Sequence, residues 1–192
     1  LRQPPGKGIV GENAPEAAMN GAFAYKQVGE YDKAIAMYEL FIGKYGSDDR
    51  LRALQNGDPG AKPPVLPDRA RYEKRVGYLK DAYDALASSY VLFFSYPRAA
   101  ETFEQIADNE HFDDEPRREA SRQSLALYAS LGDAGGMRRA RERFRTLGAS
   151  PEEMAEADFV VASSELKRWD QYSPDEGANR QARARAMAAM EE

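Results

Sequence analysis

The stretch YDALASSYVLFFSYPRAAETFEQI, residues 83–106, carries the clearest pattern in the chain. Its first half places Tyr83, Leu86, Ala87 and Tyr90 on one helical stripe. Its second half places Ala99 or Ala100, Phe103 and Ile106 on another. Ser95, Tyr96 and Pro97 break the two, because proline cannot continue a helix. Large residues alternate with small ones, so the helices can nest closely. The stretch therefore predicts an antiparallel helical hairpin.

The rest of the chain repeats this theme. Capping boxes are expected at Asn13 with Glu16, at Ser150 with Glu153 and at Ser173 with Glu176. Helices are expected over about 14–28, 32–45, 68–94, 97–108, 116–131, 137–147 and 151–169, with a last one from about 174. Their inward stripes are Ala18, Ala22 and Tyr25; Ala34, Tyr38, Phe41 and Tyr45; Tyr72, Val76, Leu79, Tyr83, Leu86, Tyr90 and Phe93. Further on they are Ala120, Leu127, Tyr128 and Leu131; Met137, Ala140, Phe144 and Leu147; Ala155, Phe159, Ala162, Leu166 and Trp169; and Ala182, Ala186, Ala189 and Met190.

Between them, 1–12 reads as a flexible N-terminal segment and 49–67 as a Pro/Gly-rich insertion. Leu51 and Leu54 fit a short helix at the start of that insertion, but NGDPGAKPPVLP is expected to be irregular. Residues 132–136 read as a turn. About eight helices in about four antiparallel pairs make the chain all-α, with one helical-repeat domain over 13–192. One such pair cannot bury its own apolar face, whereas stacked pairs can.

Composition agrees. The 192 residues carry a net charge of −5 and are 42% hydrophobic. A mean hydropathy of −0.71 is polar for a compact globule and suits an elongated array. With no cysteine, disulfides, zinc thiolates and thiol nucleophiles are excluded. The acidic balance argues against nucleic acid as a partner. No apolar run reaches the ~20 residues of a membrane span. Any membrane association would come through a missing segment or a partner. Because the chain starts at Leu1 rather than Met, a removed targeting segment stays open.

The chemistry of sites yields little. His111 is the sole histidine, so no triad and no multi-histidine metal site exists. DNEHFDDE, residues 108–115, reads either as a loose hard-cation site or as a solvated acidic turn. GDPGAK lacks the spacing and Ser/Thr of a phosphate loop. MRRARERFR, residues 137–145, holds five arginines, which fit either an acidic partner or a helix face paired with its own carboxylates. No catalytic residue, metal or cofactor is expected, and the chain reads as a non-enzyme.

These residues resemble the tetratricopeptide repeat family, whose unit is a hairpin of ~34 residues. The first repeat matches at Ala22, Tyr25, GEYDKA and Tyr38, and the second at Tyr83, Leu86, Ala87, Tyr90, Tyr96, Ala99 and Phe103. The third matches at Leu125, Tyr128, Gly132, Asp133 and Phe144, and the fourth only by helix spacing. More narrowly, residues 13–49 are similar to tetratricopeptide proteins of the bacterial envelope, including repeat lipoproteins of the myxobacterial gliding-motility machinery. The resemblance implies a right-handed superhelical solenoid that acts as a scaffold and holds an extended peptide or partner helix in a concave groove. Groove positions would be Met19, Phe23, Lys26 and Gln27, then Asp81, Asp84, Ser88 and Val91, then Arg122, Ala126 and Ala129. Met19 and Phe23 fit either the groove or packing against a neighbouring helix. The basic clamp by which some members grip a terminal carboxylate is missing, so an apolar or basic ligand is expected. The resemblance also implies a periplasmic or outer-membrane-associated location, with a cytoplasmic adaptor as the alternative. The Ala/Met stripe of the last helix would need further repeats or a second copy to cover it. The partner and the oligomeric state stay open.

Overall fold

A computed structural model describes residues 13–62, 64–170 and 176–191. Among the described residues the chain is all-α, with nine helices and no β-strand. They group into two compact units, residues Leu1–Ser89 and Tyr90–Glu192. The expected N-terminal segment 1–12 and the capping residue Ser173 lie outside the described residues, as do the inward roles of Trp169, Ala182, Ala186, Ala189 and Met190.

The first unit holds α1 (Ala14–Gln27), α2 (Tyr31–Lys44), α3 (Asp48–Asn56) and most of α4 (Arg69–Leu92). Buried alanines at 14, 18 and 22 recur every fourth residue on α1, so α2 can pack closely against it. Phe41, Leu51 and Leu79 are completely enclosed, and the Phe41 ring meets Tyr78 edge-on at 6.3 Å. Each such side chain contributes about 1.5–3 kcal/mol by leaving water. Gly46 lets the chain pass Leu79, since a Cβ there would stand 2.4 Å from its Cδ1.

Three local expectations change in this unit. Asn13 makes no side-chain cap, and Glu16 instead pairs with Lys74 at 3.0 Å. Pro15 in the first turn already removes one of the amide donors a cap would satisfy. Tyr25, expected inside, is exposed. The insertion opens with α3, which buries Leu51 and Leu54, so its helical part belongs to the core. The following loop is more ordered than its prolines suggest. Asp58 and Val65 exchange two backbone hydrogen bonds of 2.8 and 2.9 Å, and the Asp58 carboxylate accepts from the amides of Gly60 and Ala61. The bridge uses positions that keep an N–H.

The second unit contains the end of α4, then α5 (Tyr96–Asp108), α6 (Asp114–Leu131), α7 (Ala134–Thr146), α8 (Pro151–Asp170) and α9 (Glu176–Glu191). Helix α6 is central, packing against α5, α7 and α8, while α9 pairs with α8. Its core joins Ala100, Leu125, Tyr128, Met137, Ala140, Phe144 and Ala157. Two buried serines on α6 are satisfied. Ser121 donates to the Ala140 carbonyl at 2.8 Å, and Ser124 to its own helix at 2.9 Å. The capping box at Ser150 forms in both directions, with Ser150 N–H on Glu153 at 2.7 Å and Glu153 N–H on Ser150 Oγ at 3.2 Å.

Here too the structure corrects the stripes. Helix α4 ends at Leu92 rather than Phe94. Phe94 adopts a left-handed backbone (φ 57°), and the Ser95 amide returns to the Tyr90 carbonyl at 2.8 Å. Phe93 is consequently 47% exposed instead of inside. Leu131 faces outward as well. On α8, Ala155 and Phe159 are exposed, and the buried set is Ala157, Ala162, Ser164 and Glu165. Ala162 is buried as expected and Leu166 is half-buried, so the buried face is rotated from the expected stripe rather than replaced, with contacts to α6, α7 and α9 setting it.

The expected turn at 132–136 is shorter, because Ala134, Gly135 and Gly136 form the first turn of α7. Asp133 caps it, accepting from the amides of Gly135 and Gly136 at 3.0 Å each. A Cβ on Gly136 would lie 2.4 Å from the Tyr128 ring. Gly136→Ala is therefore expected to cost about 1–3 kcal/mol through overpacking, measured by urea unfolding, although alanine normally strengthens a helix.

Candidate binding groove

In the first unit, α1, α2 and α4 surround an open cavity of about 420 Å³. Helical spacing explains its α1 wall. Met19, Phe23, Lys26 and Gln27 fall at steps of four, three and one, on the side of α1 away from Ala18 and Ala22. Tyr38 supplies the α2 side, and Tyr78, Asp81 and Ala85 the α4 side. Phe23 is 59% exposed despite its size. This favours the groove over the neighbouring-helix reading for that residue. Met19 is half-buried, while Lys26, Gln27 and Asp81 are exposed.

The structure thus brings five of the expected groove residues together: Met19, Phe23, Lys26, Gln27 and Asp81. Asp84 and Ser88 are exposed on the same helix as Asp81 but do not line the cavity. Val91 and Arg122 belong to the second unit. Arg122 there holds both carboxylate oxygens of Glu119 at 2.8 Å, and with Ala126 it lines a smaller cleft of about 130 Å³. Ala129 is not a groove residue. It is half-buried, packs against the core, and its carbonyl accepts from Ser164 at 3.3 Å. Sequence reasoning missed Asn20, Tyr38, Tyr78 and Ala85 as lining residues. Tyr38 is expected in the core, where it is buried, and the fold also brings it to the cavity lining.

The electrostatics of this wall are acidic on α4. Although Asp84 is exposed, neighbouring protein atoms displace part of its hydration and push its carboxyl above its usual range, and the like charge of Asp81 adds to the effect against the pull of Lys80. Burial and then Asp81 likewise raise the Tyr38 phenol, which stays protonated and able to donate.

Among the described residues no group of three or more His, Asp or Glu could hold a metal ion. The acidic stretch at 108–115 is instead tied into structure, with Asn109 accepting from the His111 amide at 3.0 Å. No helix among the described residues is long and apolar enough to cross a membrane. Neither family models nor curated proteins give a match to this sequence.

The arginine-rich helix is largely engaged within its own unit. Arg139 and Arg143 both reach Glu104, Arg143 also binds Asp108, Arg141 pairs with Asp158, and Arg145 pairs with Glu142. Glu104 additionally accepts the Tyr128 hydroxyl at 2.5 Å. Burial alone would raise the Glu104 carboxyl, but hydrogen bonds from Arg139 and Tyr128 hold it below its usual range. A depressed carboxylate stabilises the fold above its unfolded pKa, and that contribution disappears as pH falls through the folded value. Glu104→Gln should therefore cost about 2 kcal/mol at neutral pH. Denaturant titrations of both proteins should show the difference shrinking below about pH 4.

Proposed function

We propose that the chain is a non-enzymatic protein-interaction scaffold of the tetratricopeptide repeat type, with the right-handed superhelical repeat arrangement of that family. The observation that carries the reading is Phe23, a large aromatic left 59% exposed at the rim of an open cavity rather than used in the core. An exposed aromatic with half-buried Met19 beside it suits an anchor for a partner segment. The polar side chains of Asn20, Gln27 and Lys26 around it supply hydrogen-bonding groups at the same surface. The packing of α1 on α2, of α6 on α7 and of α8 on α9 is consistent with the first, third and fourth such repeats.

The proposed setting is a bacterial cell-envelope complex, with gliding-motility machinery as the particular case, and it rests only on the resemblance read from residues 13–49. A cytoplasmic adaptor with the same groove is the alternative. Fractionation of native cells separates them: recovery with the envelope supports the first and recovery with cytosol the second.

Phe23→Ala tests the groove. It is expected to weaken capture of partner from native cells by a factor matching about 2 kcal/mol, as for a hot-spot aromatic. Its melting temperature should stay close to that of the unaltered chain. A large fall in melting temperature would instead make Phe23 a core residue and remove the basis of the proposal.

A further inference from the structure

The cavity of the first unit has two charged side chains on its walls, Lys26 on α1 and Asp81 on α4. Neither makes an ion pair or side-chain hydrogen bond among the described residues. Their surroundings differ. Lys26 lies in the last turn of α1, at the end of a long flexible stem. Asp81 stands on a helix that carries a second carboxylate, Asp84, one turn further on, close enough for the Asp81 charge to add to the raising of the Asp84 carboxyl. Beside Asp81, the same cavity exposes parts of Tyr38 and Tyr78. Aromatic faces attract cations and not anions. This helix already shows the arrangement, because Lys74 stands 5.7 Å from the Tyr78 ring centroid while pairing with Glu16.

Resting on the groove reading above, we propose that the cavity takes a basic side chain of an extended partner segment. Asp81 supplies the counter-charge, Tyr38 and Tyr78 take the aliphatic stem or the cation, and Phe23 receives the apolar residue next to it. An acidic side chain at the same point would meet Asp81 with Asp84 behind it, at a direct Coulombic cost.

The test uses the whole chain, labelled with nitrogen-15, and three blocked tripeptides, acetyl-Leu-Arg-Leu-amide and its Glu and Gln counterparts. Amide shifts report both affinity and place of binding. The Arg peptide should bind at least five-fold more tightly than the Glu peptide, moving the signals of Phe23, Tyr38 and Asp81. Asp81→Asn should erase that preference while leaving the affinity of the Gln peptide unchanged. Asp84→Asn, which does not alter the cavity wall, should retain most of it. Equal binding of all three peptides, lowered alike by Phe23→Ala, would overturn the basic-ligand proposal and leave the groove reading standing. Binding of none at millimolar peptide, or an Arg preference that survives Asp81→Asn, would also overturn it.

Discussion

Tyr128 is fixed at both ends. Its ring sits over Gly136, where any side chain would collide, and its hydroxyl donates to Glu104. Glu104 in turn collects Arg139 and Arg143, so α5, α6 and α7 meet through one half-buried carboxylate and one aromatic ring. The guanidinium of Arg139 also lies 5.7 Å from the Tyr128 ring, so the same arginine touches both the ring and the carboxylate. The packing of the second unit depends on this arrangement. Helix α7 approaches α6 closely only because Gly136 and Ala140 are small, and the Ser121 hydroxyl bonds the Ala140 carbonyl across the same contact.

The first unit reaches close packing by the same physical means with different residues. Alanines at 14, 18 and 22 let α2 approach, and Gly46 lets Leu79 in. This close packing uses the small face of α1 and leaves its large residues, Met19 and Phe23, on the other face. The cavity is thus a by-product of how α1 packs: the alanines turn inward and the anchors turn outward. Tyr38 accordingly belongs to both the core and the cavity lining.

Arginine-rich segments invite a search for acidic partners, but here each arginine must first be weighed against the carboxylates of its own fold. On α7 the intramolecular pairs account for Arg139, Arg141, Arg143 and Arg145. Several of them cross between helices separated by tens of residues in sequence, so they were not readable as local i,i+4 partners. The exposed carboxylate Asp81 is the converse case, a charge that the fold leaves available at a cavity wall.

By itself the sequence determined the all-α class, the positions of most helices and the small-residue contacts, because helical periodicity and capping are local properties of the chain. The expected groove positions come instead from the family resemblance, and of these the cavity gathers Met19, Phe23, Lys26, Gln27 and Asp81 but not Asp84, Ser88, Val91 or Arg122. What the sequence could not determine was how far around each helix the buried face extends, as exposed Phe159 on α8 shows, or that residues 134–136 join α7 instead of a turn. Nor could it show that the 49–67 stretch contributes Leu51 and Leu54 to the core. Those outcomes belong to the tertiary structure, because the choice of face depends on which helices lie alongside, and a helical period has the same length whichever face is chosen.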